Sequence, residues 1–202
     1  MRRRDEQQKV RLRSGDEVLL RPIRRSDKPR LRDGFERLSA ESRYLRFFSA
    51  PSKLRAGELR YLTEVDHHAH EALLAVEPWS DQAVGVARFV RSTNDPTVAE
   101  VAVVVADDWQ GRGLGTALVR HLVARARDEG IERFSAFVLA HNHSMLQLLH
   151  AIGDAQVTGR GGGAIELLVE LGAEGIPDTL EHTVRAAAQG DVKLAPRHPA
   201  GQ

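Results

Sequence analysis

The chain contains no cysteine, an absence that excludes disulfide bonds, thiolate metal sites and a cysteine nucleophile. Aromatic residues are scarce at 5% of the sequence, and the net charge at pH 7 is only +1. No apolar run approaches the ~20 residues that cross a membrane. No signal-peptide core follows the charged residues at the start. We therefore expect a cytoplasmic protein with no bulk attraction to nucleic acid.

The chain does have the length and apolar content of a folded domain. Its 202 residues are 42% apolar, enough for one buried core. Patterns typical of strands and helices alternate along residues 15–172 and predict one α/β domain with a mixed sheet. Residues 1–14 are polar and predict a basic arm. Residues 173–202 combine proline and glycine with one short helical pattern, which predicts a C-terminal appendage, partly helical and then flexible.

The charges are unevenly distributed. Residues 1–32 contain twelve lysines and arginines against five acidic residues. Such a run is typical of a solvated surface, and the alternative is contact with a partner or with nucleic acid. The sequence leaves both interpretations open.

The most informative segment covers residues 98–123. The β-branched run Val101–Val105 predicts a buried strand. A glycine-rich turn follows at Gln110–Thr116, and leucines at four-residue spacing then indicate a helix. Because glycine lets a phosphate oxygen approach the N–H groups at a helix N-terminus, this arrangement predicts a diphosphate site.

Two common phosphate-binding motifs fit this turn poorly. The P-loop requires a Gly-Lys-Ser/Thr ending, and no lysine follows these glycines. The dinucleotide fingerprint requires a third glycine where Thr116 stands, and an acidic residue at the end of the next strand. Here Asp128 and Glu129 precede that strand instead.

Three segments carry a resemblance to a known family. Residues 110–115, Gln-Gly-Arg-Gly-Leu-Gly, match the Gln/Arg-x-x-Gly-x-Gly/Ala signature of the GCN5-related N-acetyltransferases. Residues 140–148, in which Asn142 opens a helix after a strand, resemble the second cofactor segment of that family. Leu20–Ile23 and Leu38–Phe48 resemble the opening of the acetyltransferase domain in bacterial Pat-type protein lysine acetyltransferases.

The resemblance implies a mixed, mostly antiparallel sheet of about seven strands flanked by helices. It also implies acetyl-CoA as co-substrate and no metal. The pantetheine arm would pair with the backbone of the central strand, the diphosphate would accept bonds from the turn amides, and an asparagine would bond the arm from the neighbouring strand. The implied cofactor-binding residues are Val103, Val104, Val105, Gln110, Gly111, Arg112, Gly113, Leu114, Gly115, Thr116, Asn142 and Ser144.

Glu100 is the candidate catalytic base. An amine with a pKa of about 10 is mostly protonated at neutral pH, so acetyl transfer needs a group that removes its proton. Glu100 is the one acid in an otherwise apolar strand and stands where Pat-type relatives place their catalytic glutamate. Its alternative role is a strand-end carboxylate facing water. A backbone amide near Val103 would stabilise the oxyanion by resemblance. With neither cysteine nor a Ser-His-acid pattern, we expect direct transfer.

Protonation of the leaving thiolate is where the sequence departs from much of the family. Many members have a tyrosine seven residues after the asparagine, and here that position is Leu149. Ser144, His150 or water remain as proton donors.

The segment Asp66–His70 places three histidines close together at positions 67, 68 and 70. Three interpretations stay open: a metal site, an active-site rim or proton relay, and a surface loop that enters a strand. Glu64 and Asp66 are candidates for shaping the path of a basic substrate.

The resemblance favours an N-acetyltransferase that acts on a primary amine, with a protein lysine as the acceptor. The alternatives are an acetyltransferase for a small-molecule amine and a non-catalytic acyl-CoA-binding regulatory module. Nucleic acid binding through residues 1–32 is a further interpretation, and it would require steep salt dependence.

Overall fold

The computed structural model describes residues 7–49 and 51–172, which form eight strands and five helices. In chain order these are β1 (Gln8–Arg11), β2 (Glu17–Pro22), α1 (Lys28–Glu36), α2 (Ala40–Phe47), α3 (Ala56–Thr63), β3 (His70–Val76), β4 (Ala83–Arg91), β5 (Val98–Val105), α4 (Leu114–Asp128), β6 (Arg133–Leu139), α5 (His143–His150), β7 (Gly153–Gly161) and β8 (Ala164–Leu171).

The strands form a single sheet in the order β1-β2-β3-β4-β5-β6-β8-β7. Neighbouring strands are antiparallel except β5 and β6, which are parallel. The predicted α/β class and the mixed, mostly antiparallel sheet are therefore confirmed, with eight strands where about seven were expected. No helix in the described ranges is long and apolar enough to cross a membrane.

The additional strand, β1, lies within the predicted N-terminal arm. Gln8–Arg11 pairs with β2, and Gly15 at φ 94° closes the turn between the two strands. Leu12 is buried and Val10 packs against the core. Residues 8–11 thus form part of the sheet rather than a free arm. The beginning of that arm, residues 1–6, and the predicted appendage, residues 173–202, lie outside the described residues.

Helices cover both faces of the sheet. On one face, α1 and α3 pack with β3 and β4 in a core that includes Leu31, Phe35 and Leu74. On the other face, α4 and α5 pack over the middle strands in a larger core that includes Leu118, Leu122 and Phe134. The sheet is therefore the middle of three layers.

The parallel pair β5–β6 is joined only at its beginning. Val98–Glu100 pairs with Arg133–Ser135, and the register ends there although both strands continue. Beyond that point β6 pairs only with β8. The two strands therefore separate toward their C-terminal ends and leave a gap in the middle of the sheet.

Candidate active site

A cleft of about 520 Å³ opens where β5 and β6 separate. Its walls come from the end of β5, the beginnings of α4 and α5, the inner side of α2 and strand β1. The predicted cofactor-binding residues that line it are Val103, Val104, Val105, Gln110, Gly111, Gly113, Leu114, Gly115, Thr116, Asn142 and Ser144. The structure thus brings together all members of the predicted set except Arg112.

The open edge of β5 presents backbone groups to this cleft. The Ala106 N–H donates to Val84 O on the β4 side at 2.9 Å, and Val98 O accepts from Ser92 N at 2.8 Å. Because the direction alternates along an antiparallel strand, Val103 and Val105 direct their N–H and C=O groups toward the gap. Val104 faces β4 with its backbone and borders the cleft with its side chain alone. The predicted backbone pairing at three consecutive valines is thus limited to the two odd-numbered ones.

The glycine-rich turn supplies a row of unused amides. Helix α4 begins after Gly113, and its first backbone bond is from Ala117 N to Gly113 O at 3.0 Å. The N–H groups of residues 111–116 donate to no other group in the described parts of the chain. Together with the positive end of the helix dipole, they form a site suited to a diphosphate.

Glycine is required in this turn by its geometry. Gly111 and Gly113 have φ values of 72° and 91°, and a Cβ on Gly113 would lie 3.3 Å from Arg13 Cβ. These conformations also explain why α4 begins at Leu114, after both glycines.

Arg112 points away from the cleft. Its Nη1 donates to Asp16 Oδ2 at 3.2 Å, and its guanidinium lies 5.1 Å from the Trp109 ring centroid. Its carbonyl accepts from Ser14 N at 3.4 Å. The Arg112 side chain therefore attaches the β1–β2 hairpin to the turn, and only its amide remains available to a ligand.

Strand β1 and the turn after it add cations that the sequence predicts in a polar arm. Arg11 and Arg13 line the cleft together with Arg120 and His121 of α4. Other basic residues near the N-terminus pair with acids, in the ion pairs Lys9–Glu17, Arg21–Asp27, Arg25–Glu64, Lys28–Glu64 and Arg30–Asp81. Part of the local positive charge is thus neutralised on the surface, and part of it faces the cleft.

Asn142 can serve two roles at once. Its Oδ1 accepts from Met145 N at 3.1 Å and caps α5, which leaves the Nδ2 amide able to donate to a ligand. Ser144 borders the cleft at the same helix start, whereas His150 is exposed outside it. Leu149, at the position where many family members have tyrosine, is fully buried. Of the two side chains predicted as proton donors, only Ser144 faces the cleft.

Glu100 lies beside the cleft and does not line it. Its side chain is exposed, and its backbone pairs with Ser135 at the last register position before the strands separate. Glu100 lies on the same sheet face as Val104, four residues on, which packs against the core under α1 and α3. Val103 is three residues further along β5, a rise of ~10 Å. Glu100 thus stands at the end of the gap, on the α1–α3 face.

Arg46 is within electrostatic range of this glutamate and of a group of three further side chains. We name the five residues the Glu100 cluster: Arg46, Tyr61, His70, Arg88 and Glu100. Arg88 Nη1 donates to His70 Nε2 at 3.1 Å, and the rings of Tyr61 and His70 are 5.0 Å apart. Arg46, on α2, is within electrostatic range of Glu100 and Tyr61. Two members are singled out by the sequence: Glu100 as the candidate base, and His70 in a segment for which an active-site rim is one of three interpretations. Arg46, Tyr61 and Arg88 could not be identified, because they lie far apart in the chain.

Burial dominates the electrostatics of this cluster. Burial lowers the pKa of Arg46, and the negative charges of Glu100 and Tyr61 oppose that shift. Burial and the Arg46 charge lower the pKa of Arg88 to about 10. Burial, followed by the charge of Arg88, lowers the pKa of His70 to about 4, so the imidazole is neutral at pH 7 and accepts a hydrogen bond from Arg88.

The histidine-rich segment does not form a metal site in the described residues. His67 Nδ1 contacts Glu71 Oε1 at 2.7 Å, while His68 pairs with Glu129. The three imidazoles therefore engage three different partners, and only His70 reaches the Glu100 cluster.

The two acids predicted to shape a substrate path are engaged locally. Asp66 Oδ1 accepts from the backbone N–H groups of His68 and His70 at 2.9 and 2.8 Å. The ion pairs with Lys28 and Arg25 lower the pKa of Glu64 to about 2. These carboxylates stabilise a loop and a helix end, and their role in the path of a basic substrate stays a prediction.

The sequence matches a known family and named relatives. The model of the acetyltransferase (GNAT) family matches residues 36–153. Acetyltransferase Pat of Mycolicibacterium smegmatis is 38% identical over 144 residues, which are 71% of this chain and 43% of that protein. The chain thus spans less than half the length of this relative. Acetyltransferase PA5475 of Pseudomonas aeruginosa is 33% identical over 141 residues, 69% of this chain and 75% of that protein.

A solved structure shows the same architecture. The GNAT domain of S. lividans PAT superimposes with a TM-score of 0.75 at 32% sequence identity, covering 82% of this chain and 97% of that domain. The family and the fold that the resemblance implied are confirmed.

Proposed function

The chain belongs to the acetyltransferase (GNAT) family, and from this premise we propose that it transfers the acetyl group of acetyl-CoA directly to a primary amine. One observation carries the proposal. The cleft between β5 and β6 places an open backbone edge beside a turn of six unused amides. The extended pantetheine arm of CoA matches the open edge, and the diphosphate that follows the arm matches the turn amides.

Acetyl-CoA is held mainly by backbone groups in this proposal. The pantetheine amides pair with Val103 and Val105 as an added strand, and the Asn142 Nδ2 donates from the opposite wall. The diphosphate accepts from the N–H groups of residues 111–116. Arg11 and Arg13 add positive charge near this anionic end of the ligand.

Glu100 acts as the general base for the acceptor. Its carboxylate takes a proton from the ammonium group, directly or through one water, and the free amine attacks the thioester carbonyl carbon. A backbone N–H near Val103 donates to the oxyanion of the tetrahedral intermediate. The C–S bond then breaks, and the nitrogen releases its remaining extra proton to water, which yields the amide. The thiolate of CoA takes a proton from water, either directly or relayed through Ser144.

The acceptor that we assign is a lysine side chain of a protein. Residues 38–48 resemble the opening of Pat-type protein lysine acetyltransferases. The exposure of Glu100 supports the assignment, since a base at the surface is accessible to a side chain on another protein. Phe48 and Phe137 are both exposed, and their ring centroids lie 5.1 Å apart across the gap between α2 and β6. They offer an apolar contact for the methylene groups of a lysine.

Release of free CoA from acetyl-CoA tests the proposal. Wild type and Glu100→Gln are compared on a panel of lysine-containing proteins and small amines, with acetyl-CoA affinity measured by calorimetry. We expect turnover on a protein acceptor that is lost in Glu100→Gln while the affinity stays the same. Near-normal turnover of the variant at neutral and at high pH would exclude Glu100 as the base. Acetyl-CoA binding without turnover on any amine would favour a regulatory module.

A further inference from the structure

We propose that Arg46 binds a carboxylate of the acceptor, so that the preferred acceptor is a primary amine with a carboxylate close to it. The inference rests on the proposed function, because it concerns the acceptor in that reaction. The relevant feature is a pair of arginines beside the candidate base that have no carboxylate partner.

Arg46 occupies the position that such a role requires. It lies in the last turn of α2 and borders two spaces, the β5–β6 cleft and a small cavity beneath α1 and α3. Within the described ranges its guanidinium makes no hydrogen bond or ion pair, and it lies 5.0 Å from the centroid of the Phe47 ring. Arg43, one turn earlier, instead donates to three backbone carbonyls.

Arg88 increases the positive potential at the same place. It is only 5% exposed and borders the same small cavity as Arg46. Its donors reach His70 Nε2 and the Leu62 carbonyl, both at 3.1 Å, and both of these acceptors are neutral. Two guanidinium groups therefore lie near each other without a hydrogen-bonded anion in the described parts of the chain.

Arg21, which is buried as Arg88 is, and Arg125, which is partly buried as Arg46 is, are both paired with acids. Arg21 makes two bonds of 2.7 Å to the carboxylate of Asp27, and Arg125 makes bonds of 3.0 and 2.6 Å to Glu71. A cation withdrawn from water without a partner is costly, and Arg43 and Arg91 offset that cost with backbone carbonyls instead of acids. In the described residues Arg46 has neither kind of partner, which indicates a position that an anionic ligand completes.

The charges that face Arg46 specify the acceptor further. Glu100 is within electrostatic range of Arg46 but is not hydrogen-bonded to it, and its side chain is turned toward solvent. Tyr61 and Arg88 face Arg46 from α3 and β4. An acceptor with an ammonium group at Glu100 and a carboxylate at Arg46 matches the two opposite charges. The planar guanidinium is suited to bidentate recognition of that carboxylate.

Two sources can supply this chemistry: a free amino acid, or a protein lysine next to an acidic residue. The experiment uses matched pairs that differ only in the carboxylate. One arm compares L-amino acids with their carboxamides, and the other compares peptides containing Glu-Lys with peptides containing Gln-Lys. The readout is the ratio of kcat/KM within each pair.

We expect wild type to prefer the carboxylate member of a pair by about tenfold or more, since the bond is charge-assisted. Arg46→Gln should reduce the ratio to about one, and Arg46→Lys should restore part of it. The arm that shows the preference identifies the source. Arg60→Gln, which removes an exposed cation on α3, is the control and should keep the wild-type ratio.

Two results would overturn the inference. One is a wild-type ratio near one in both arms. The other is an equal loss of activity on both members of a pair in Arg46→Gln, which would mean that Arg46 supports Glu100 or the fold. Thermal melting of each variant identifies folding defects. No CoA release with any amine would overturn the proposed function itself, and the inference with it.

Discussion

The two sides of the candidate active site differ in the groups that they offer to a ligand. The cofactor side consists of backbone groups in one short stretch, residues 103–116, completed by Asn142. The side on which we place the acceptor consists of side chains from α2, α3, β3, β4 and β5. Backbone recognition needs little from side chains beyond glycine, so it leaves a motif in the sequence. Side-chain recognition is assembled by the fold, and it can vary without altering that motif.

The largest effect is expected for the candidate base, whose loss should slow the chemical step without weakening cofactor binding. Glu100→Gln should lower kcat by about 10²- to 10⁴-fold, the usual contribution of a general base. Acetyl-CoA affinity should not change, because Glu100 does not line the cleft. Steady-state kinetics and calorimetry measure the two quantities. Glu132→Gln, which removes an exposed carboxylate next to β6, is the control and should behave as wild type.

A substitution in the glycine-rich turn should instead weaken acetyl-CoA binding. Gly113→Ala imposes a Cβ on a residue at φ 91° and places it 3.3 Å from Arg13 Cβ. We expect the change to cost about 1–2 kcal/mol of stability and to weaken acetyl-CoA binding. Gly57→Ala in α3 is the control, since its Cβ would meet no atom within 4 Å and Gly57 does not line the cleft. Denaturant unfolding and calorimetry should show a large effect for the first variant only. Equal effects would mean that the conformation of Gly113 is unimportant.

The Glu100 cluster should also affect how the stability of the protein depends on pH. The folded pKa of His70 is about 4, below its unfolded value of about 6.5, so the unfolded state binds more protons between these values. The stability that neutral His70 allows is fully present above pH 6.5 and is lost as the pH falls toward 4. His70→Gln should therefore lose less stability over that interval, as measured by urea unfolding at several pH values. An unchanged slope would indicate that His70 is not buried in its neutral form.

The smallest effect concerns Arg11 of β1 and Arg13 of the turn that follows it. Arg11→Gln and Arg13→Gln should each weaken acetyl-CoA binding a few-fold, and the loss should shrink at high salt because exposed charges are screened. Lys9→Gln is the control. Lys9 is on β1 as Arg11 is, but it pairs with Glu17 of β2 at 2.7 Å and does not line the cleft. A loss that is independent of salt would indicate that β1 contributes through packing rather than through charge.

The local arrangement of β5, the glycine-rich turn and α4 could be predicted from the sequence for a physical reason. The strand, the turn and the start of α4 are contiguous, so their spacing alone places the valine backbone next to the amides. The N-cap role of Asn142 follows from its position before a helix as well. The direction of the Arg112 side chain could not be predicted, because it depends on Asp16 and Trp109.

The remaining features depend on long-range pairing. Strand β1 has four residues, two of them basic, which is too short for an alternating pattern, and its pairing with β2 gives it structure. Arg46 and Arg88 look like ordinary helix and strand cations in the sequence. Their position next to Glu100 follows only from the packing of α2 on the sheet and from the register between β4 and β5.

The most direct measurement follows the backbone amides by NMR during titration with acetyl-CoA. We expect the largest chemical-shift changes at Val103, Val105 and residues 111–116, with small changes at His70 and Arg88 until an amine acceptor is added. This result would place the cofactor in the β5–β6 cleft, held by its backbone. Unchanged amides in the glycine-rich turn, or changes centred on another part of the sheet, would contradict that placement.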